Sequence, residues 1–144
     1  MNDAPFDVEA FLAEPITARL ATNGPTVRPI WYQWEDGCFW LLSGPWARLY
    51  HRVREDPMAA LVVDVAEVDT GRFQQVIAHG SVEFVPWDIP RGRRMLVRYQ
   101  GPDLSTWPRQ PDRTRYLREP GPPGVTWLRL RPDRMRAYDY SWSG

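Results

Sequence analysis

The stretch that most restricts the fold of this chain is residues 28–42, RPIWYQWEDGCFWLL, in which two aromatic runs flank an Asp-Gly pair. Asp36-Gly37 is a strong signal for a type I′ turn, because both central residues of that turn need positive φ. The stretch is therefore predicted to form a tight β-hairpin. The predicted cross-strand pairs are Glu35 with Cys38, Trp34 with Phe39, Gln33 with Trp40 and Tyr32 with Leu41.

This pairing places apolar side chains on both faces of the hairpin. The first face carries Ile30, Tyr32, Trp34, Phe39 and Leu41. The second face carries Trp31, Gln33, Cys38, Trp40 and Leu42. One face suits the core, and the other must be covered by the chain's own helices, by a partner subunit or by a ligand. We expect a subunit interface with a planar ligand beside it, because aromatic residues and arginine are enriched at the centres of interfaces.

Period-two alternation continues on either side of the hairpin and predicts a mainly β domain with connecting helices, an α+β barrel. Strands are expected at 16–22, 27–35, 38–43, 58–68, 72–85 and 125–132, with a further one at 135–142, and helices at 6–15, 44–57 and 88–101. Pro29 indicates a strand start, an edge or a bulge, and Gly80 a bulge. Residues 1–144 suit a single domain, with the proline-rich segment 102–124 as a loop or lid.

Composition excludes several classes of function. All 18 basic residues are arginine, so a lysine Schiff base and a P-loop are both ruled out. They are balanced by 18 acidic residues, so no nucleic-acid or acidic-membrane partner is expected. The lone Cys38, the lack of an apolar run long enough to span a bilayer and an acidic N-terminal stretch favour the cytoplasm.

The order of segments resembles the pyridoxamine 5′-phosphate oxidase-like family of split β-barrel flavoproteins, which bind FMN or the deazaflavin F420. The resemblance runs through FLAEPITARLAT, VRPIWYQWEDGCFWLLS, WARLYHRVREDPMAALVVDV and QQVIAHGSVEFV, with a weaker match in WLRLRPDRMRAYD. It implies a homodimeric, FMN-binding-like split barrel with a coenzyme between the subunits. It also implies a flavin- or deazaflavin-dependent oxidoreductase acting on a small substrate.

The resemblance also assigns site residues. The ring of the coenzyme is expected along Arg28, Pro29, Ile30 and Trp31. The phosphate is expected at Ser43, Arg48 and Arg52, with Gln75 near either group.

One departure from the family pattern keeps other functions open. The family commonly has Lys eight residues before the Pro of the Asp-Pro pair, and this chain has Leu49 there. The phosphate site is therefore either rebuilt around Arg48 and Arg52 or lost. The alternatives are a non-catalytic protein that binds FMN, F420 or haem, with His51 as the axial haem ligand, and a coenzyme-free dimer.

The sequence gives little guidance on acid–base chemistry or metals. No residue is an evident general acid, and Tyr32 or His51 could serve if the reaction needs one. His51 and His79 are the only histidines, and with a single cysteine they do not make a convincing zinc site, so no metal is expected.

Overall fold

A seven-stranded antiparallel sheet carries the fold in the computed structural model of the chain, which describes residues 3–108 and 113–142. The strands are β1 (Ala18–Thr22), β2 (Thr26–Ile30), β3 (Gln33–Glu35), β4 (Cys38–Ser43), β5 (Met58–Glu67), β6 (Arg72–Pro86) and β7 (Thr126–Asp139). The helices are α1 (Val8–Ala13), α2 (Arg48–Glu55) and α3 (Ile89–Gln100), with short 3-10 helices at Leu104–Thr106 and Thr114–Leu117.

The sheet must curl, because its two edge strands are almost consecutive in the chain. The strand order is β2-β1-β5-β6-β7-β4-β3, so β2 and β3 lie at opposite edges. Six interstrand spacings of about 4.8 Å would separate these edges by roughly 29 Å in a flat sheet. Only Trp31 and Tyr32 connect the two strands, and a link that short spans about 10 Å. The sheet therefore closes on itself along a seam, which confirms the predicted split barrel of the α+β class.

Two hydrophobic clusters fill the fold. The larger one occupies the inside of the barrel, where Leu20, Leu61 and Leu130 pack with the buried faces of α1 and α2. The smaller one lies outside the barrel, where Trp40 and Trp127 of β4 and β7 pack against α3. The seam lies beside both clusters, so a ligand there would contact elements from each.

The predicted turn and register of the hairpin are confirmed. Asp36 and Gly37 have φ of 56° and 70°, and three of the four predicted pairs form: Glu35–Cys38, Trp34–Phe39 and Gln33–Trp40. The fourth, Tyr32–Leu41, is wrong, because β3 begins at Gln33. The prediction of one strand over 27–35 is wrong. The chain leaves the ladder at Trp31 and Tyr32, because it has to cross there from one edge of the sheet to the other.

The prediction that a partner or ligand covers the second face of the hairpin is wrong for its inner part. Cys38 and Trp40 are 0% and 4% exposed, and they pack with Met95 and Leu96 of α3. The chain's own helix is therefore the cover, which is the alternative considered above. Trp31 and Leu42, toward the seam, stay partly exposed.

The remaining elements differ from expectation mainly at their ends. The helix predicted at 44–57 begins only at Arg48, because residues 44–47 form a turn in which the Ala47 amide donates to the Gly44 carbonyl at 3.0 Å. The bulge at Gly80 is confirmed, and the extra residue is Asp133 of β7. The strand predicted at 135–142 is a continuation of β7 rather than a separate element.

The described parts of the proline-rich segment 102–124 pack against the rest of the fold. Trp107 is 3% exposed, and its indole N–H donates to the Gly101 carbonyl at 2.9 Å. Leu117 is also buried against the outer cluster. This segment therefore packs on α3 as far as it is described; the part at 109–112 lies outside the described residues.

Candidate functional site

A cavity of about 220 Å³ opens at the seam of the barrel, between β2, the end of β4 and the start of α2. Its lining residues come from both sides of the seam: Leu20, Thr22, Thr26, Arg28, Pro29, Ile30, Leu42, Ser43, Ala47, Leu49 and Arg52. The floor of the cavity is apolar, because it is formed by Leu20 and Leu49, which belong to the hydrophobic cluster inside the barrel. We call this space the seam cavity.

A larger groove of about 500 Å³ continues from the seam cavity toward α3. Its lining residues are Arg28, Pro29, Ile30, Trp31, Leu42, Met95, Leu96, Arg113 and Tyr116. The two spaces share Arg28, Pro29, Ile30 and Leu42, so they form one continuous site. The groove by itself falls within the range of about 300–1,000 Å³ that is usual for sites of organic ligands, and the smaller seam cavity extends it. We call the second space the α3 groove.

The seam cavity is equipped to bind an anion. Arg28 and Arg52 both line it, and neither pairs with an acidic side chain in the part of the chain that the structure describes. Ser43 is 2% exposed, yet its buried Oγ has no hydrogen-bond partner. A buried hydroxyl without a partner is rare and costs free energy. A phosphate would supply acceptors for the hydroxyl and for both guanidinium groups.

Trp31 is held in a fixed orientation at the α3 groove. Its ring stacks on Tyr99 of α3, with the ring centroids 4.6 Å apart and the planes 5° from parallel. The Tyr99 hydroxyl donates to the Ile16 carbonyl at 2.8 Å, and burial raises the pKa of that hydroxyl. Trp31 is therefore a rigid wall rather than a mobile side chain.

Two polar contacts fasten α3 over the hairpin. The Arg98 guanidinium donates to the backbone carbonyls of Leu12, Glu14 and Tyr32. At the other end of the helix, Glu35 accepts from Arg91 Nε at 2.9 Å and from Arg94 Nε at 2.6 Å. The hydrogen bond from Arg94 is the main reason why the pKa of Glu35 falls to about 2.

The structure brings most of the predicted site residues together. Arg28, Pro29, Ile30, Ser43 and Arg52 all line the seam cavity, and Trp31 lines the adjoining groove. Two predicted residues are placed elsewhere. Arg48 is exposed and does not line either space, although it lies one turn before Arg52. Gln75 lies on β6, where the buried Val76 faces the core, so its side chain projects from the opposite, outer face of the sheet.

Neither residue considered as a general acid reaches the site. Tyr32 is 0% exposed inside the barrel and donates to the Leu12 carbonyl at 3.1 Å, and burial raises its pKa. His51 is exposed, with a ring nitrogen 2.8 Å from the Pro45 carbonyl oxygen. His79 lies on the outer face of the sheet, and no group of potential metal ligands forms among the described residues.

The far wall of the site is formed by residues that the sequence did not predict. Met95 and Leu96 come from α3, Arg113 and Tyr116 from the proline-rich segment. Met95 and Leu96 belong to a recognisable helix, but nothing local indicates which surface that helix covers. Arg113 and Tyr116 lie in a segment without periodicity, so no sequence signal marks them.

Comparison with known proteins supports this reading of the fold. The sequence model described as pyridoxamine 5′-phosphate oxidase matches residues 6–139. No curated protein matches the chain. Among the described residues, no helix is long and apolar enough to cross a bilayer.

Solved structures with low sequence identity share the fold. A conserved hypothetical protein from Mycobacterium tuberculosis is 20% identical, with a TM-score of 0.69 over 100% of this chain and 96% of its own. An F420 reductase is 23% identical, with a TM-score of 0.61 over 92% of this chain and 98% of its own. A FAD-binding protein from Mesorhizobium loti is 22% identical, with a TM-score of 0.61 over 92% of each chain. At these identities the structures show the fold alone.

Proposed function

Because this chain belongs to the pyridoxamine 5′-phosphate oxidase family, we propose that it binds FMN or F420 at the seam and transfers a hydride between that coenzyme and a small substrate. The observation that carries the proposal is the pair of guanidinium groups of Arg28 and Arg52, which line the seam cavity beside Ser43 and have no acidic partner among the described residues. Structural relatives described as an F420 reductase and a FAD-binding protein support the choice of coenzyme class.

The residues of the site divide into an anion-binding part and an apolar part. Ser43 donates a hydrogen bond to the coenzyme's phosphate, and Arg28 and Arg52 neutralise its charge. Pro29, Ile30 and Leu42 form the shared wall along which a flat ring lies, and they exclude water from it. When bound, such a coenzyme supplies a hydride, and the substrate also takes one proton from solvent, so that two electrons and two hydrogens are added.

Solvent is the proton source in this proposal because of what lines the site. No carboxylic acid or histidine is among the lining residues of the cavity and the groove that the structure describes. The protein's contribution is therefore binding, orientation and exclusion of water around the ring.

A non-catalytic or coenzyme-free protein is the second candidate, and Leu49 favours it. Leu49 is 8% exposed and lines the seam cavity at the position where the family commonly has Lys. An absorbance spectrum of the freshly purified protein separates the candidates: a band at about 450 nm indicates FMN, one at about 420 nm F420, and a Soret band haem. A colourless protein that binds none of the three in titration would contradict the proposed oxidoreductase.

Replacing Arg52 by alanine is expected to weaken coenzyme binding at least tenfold, about 1.4 kcal/mol. The variant loses one of the two unpaired guanidinium groups that line the cavity. Binding is measured by titrating coenzyme-free protein with FMN and with F420 and following the quenching of coenzyme fluorescence.

Arg48→Ala is the matched control for Arg52→Ala. It removes the same charge from the same helix, but Arg48 is exposed and lies outside the cavity. We expect wild-type affinity, which revises the sequence-based expectation that both arginines hold the phosphate. Equal losses in the two variants would indicate a long-range charge effect, and an unchanged affinity in Arg52→Ala would remove the phosphate assignment.

We also propose that the protein is a homodimer whose interface is the outer face of β1, β2, β5 and β6. Ala21, Val27, Ala60, Val62 and Ile77 form a shallow and mainly apolar surface there, which Arg19 also lines, and Val27 is 66% exposed. Exposed apolar surfaces of this kind mark interaction sites. The occupant is a second copy of this chain, since the resemblance implies a dimer and α3 already covers the hairpin face first considered. Gln75 lies on this same outer face, so only a partner subunit could bring it near the coenzyme.

The Val62→Asp variant is expected to sediment as a monomer of 16.8 kDa, while the wild type sediments at twice that mass. Val62 lines the apolar surface directly across the ladder from Arg19, which already pairs with Asp64, so a further carboxylate there has to be desolvated and opposes association. Val68→Asp is the control, because Val68 is 77% exposed and lies outside that surface. A monomeric wild type in analytical ultracentrifugation would refute the dimer.

A further inference from the structure

Two arginines line the α3 groove, one at each end. Arg28 lies where the groove meets the seam cavity, and Arg113 lies near Trp31. Among the described residues, no acidic residue lines the groove and no acidic side chain pairs with Arg113. Arg28 lines both the seam cavity and the groove, whereas Arg113 lines the groove alone. Arg113 is therefore the arginine that can bind a second anion in the groove.

Arg113 is held in position although it lies in the proline-rich segment. Its guanidinium carbon is 5.3 Å from the centroid of the Trp31 ring. A guanidinium stacked on a ring keeps its N–H donors in its own plane, where they can still bind a carboxylate with two hydrogen bonds. Trp31 is in turn fixed by its stacking on Tyr99.

The segment that carries Arg113 is itself anchored. Leu117 is 9% exposed in the outer hydrophobic cluster. The Trp87 indole N–H donates to the Tyr116 carbonyl at 3.2 Å, and Trp87 stacks on the buried Trp127 with 4.4 Å between ring centroids. These contacts hold in place the turn that carries Arg113.

The rest of the groove suits a flat apolar group. Met95 and Leu96 of α3, together with Trp31 and Tyr116, form its walls, and the groove measures about 500 Å³. A groove that combines apolar walls with one or two placed charged groups is the usual form of a small-molecule site. The charge selects an anion, and the walls select a ring-sized hydrophobic body.

We propose that the part of the α3 groove between Trp31, Arg113 and Tyr116 is the substrate subsite and binds a flat, ring-containing carboxylic acid through Arg113. This inference rests on the proposed function in one respect: the coenzyme ring occupies the neighbouring wall of Pro29, Ile30 and Leu42, so that a substrate in the groove lies beside it. Binding of the acid itself needs only residues of this chain.

The test uses 2-naphthoate and its neutral isostere 2-naphthamide as probes, titrated by calorimetry into the full chain. The titrations are made on coenzyme-free protein and on protein saturated with whichever coenzyme it binds. We expect naphthoate to bind at least tenfold more tightly than naphthamide. Arg113→Gln should remove that preference while leaving naphthamide binding unchanged. Arg113→Lys should keep part of the preference, because lysine retains the positive charge but lacks the paired N–H donors with which a guanidinium binds a carboxylate.

Arg118→Gln is the matched control. Arg118 lies in the same segment, is exposed and does not line the groove, so its loss should leave naphthoate binding at the wild-type level. Equal affinity for the two probes, no binding of naphthoate at all, or the same loss in both glutamine variants would overturn the subsite. The proposed function fails separately: if no coenzyme binds but naphthoate binds in an Arg113-dependent way, the subsite stands and the oxidoreductase does not.

Discussion

Arg98→Ala is expected to lower the free energy of unfolding by about 3 kcal/mol, the largest loss that we predict for a single polar side chain here. The Arg98 guanidinium donates to the carbonyls of Leu12, Glu14 and Tyr32, and it lies 4.4 Å from the centroid of the Tyr32 ring. It thereby ties α3 to α1 and to the crossover between β2 and β3. Each charged hydrogen bond contributes about 1.5–3 kcal/mol, and the loss stays below their sum because the Leu12 carbonyl keeps the Tyr32 hydroxyl as a donor and the Glu14 carbonyl keeps the Ile16 amide.

The measurement for Arg98→Ala is urea denaturation at pH 7, with Arg93→Ala as the matched control. Arg93 lies on the same helix and is exposed, so its removal should change the free energy of unfolding by less than about 0.5 kcal/mol. Arg98→Lys should fall between wild type and Arg98→Ala, because one ammonium group cannot reach all three carbonyls. If Arg98→Ala has the same free energy of unfolding as Arg93→Ala, the hydrogen bonds of Arg98 do not contribute measurably to stability.

Glu35→Gln is expected to lower the free energy of unfolding by about 2–3 kcal/mol at pH 7. Glu35 is 19% exposed, and hydrogen bonds from Arg94, Gln33 and Arg91 outweigh burial and lower its pKa from 4.5 to about 2. A carboxylate whose pKa is lower in the folded state stabilises the fold fully above its unfolded pKa. That contribution is lost as the pH falls from about 4.5 toward 2.

The pH dependence gives this prediction its sharpest test. The difference in unfolding free energy between wild type and Glu35→Gln should shrink to about 1 kcal/mol at pH 3, because Glu35 is protonated in the unfolded chain at that pH, and this proton binding favours unfolding of the wild type. Asp36→Asn is the control: Asp36 also faces Arg91, at 3.4 Å, but its side chain is 76% exposed. We expect no measurable change for it at either pH. A difference for Glu35→Gln that stays constant from pH 7 to pH 3 would show that charge is not the cause.

The parts of the fold that the sequence predicts are those set by neighbouring residues. The hairpin register follows from Asp36-Gly37, because the turn fixes which residues face each other. The bulge at Gly80 is predicted from the residue itself, because a glycine inside a strand pattern often marks a bulge. The cover of the hairpin is not predictable in this way. It depends on Met95 and Leu96 of α3 packing against Cys38 and Trp40, which lie far from them in the sequence.

The residues of the candidate site likewise fall into those that the sequence predicts and those that depend on tertiary contacts. Residues of β2, β4 and α2 are found through the resemblance to the family, and five of the eight assigned residues line the seam cavity. Arg48 and Arg52 are one helical turn apart, and spacing alone does not show that only Arg52 faces the cavity. Arg113 and Tyr116 reach the site only because Leu117 is buried under α3, which is a tertiary contact without a local signature.

The two-residue crossover at Trp31 and Tyr32 makes the integrity of the site inseparable from the closure of the barrel. Tyr32 points into the core and is 0% exposed, while Trp31 forms a wall of the groove. A change that separates the two edge strands, such as a longer connection between β2 and β3 or partial thermal unfolding, therefore also disrupts the α3 groove. A small molecule that binds at the seam therefore stabilises the closed barrel. The free energy of unfolding rises with the affinity and the concentration of that ligand.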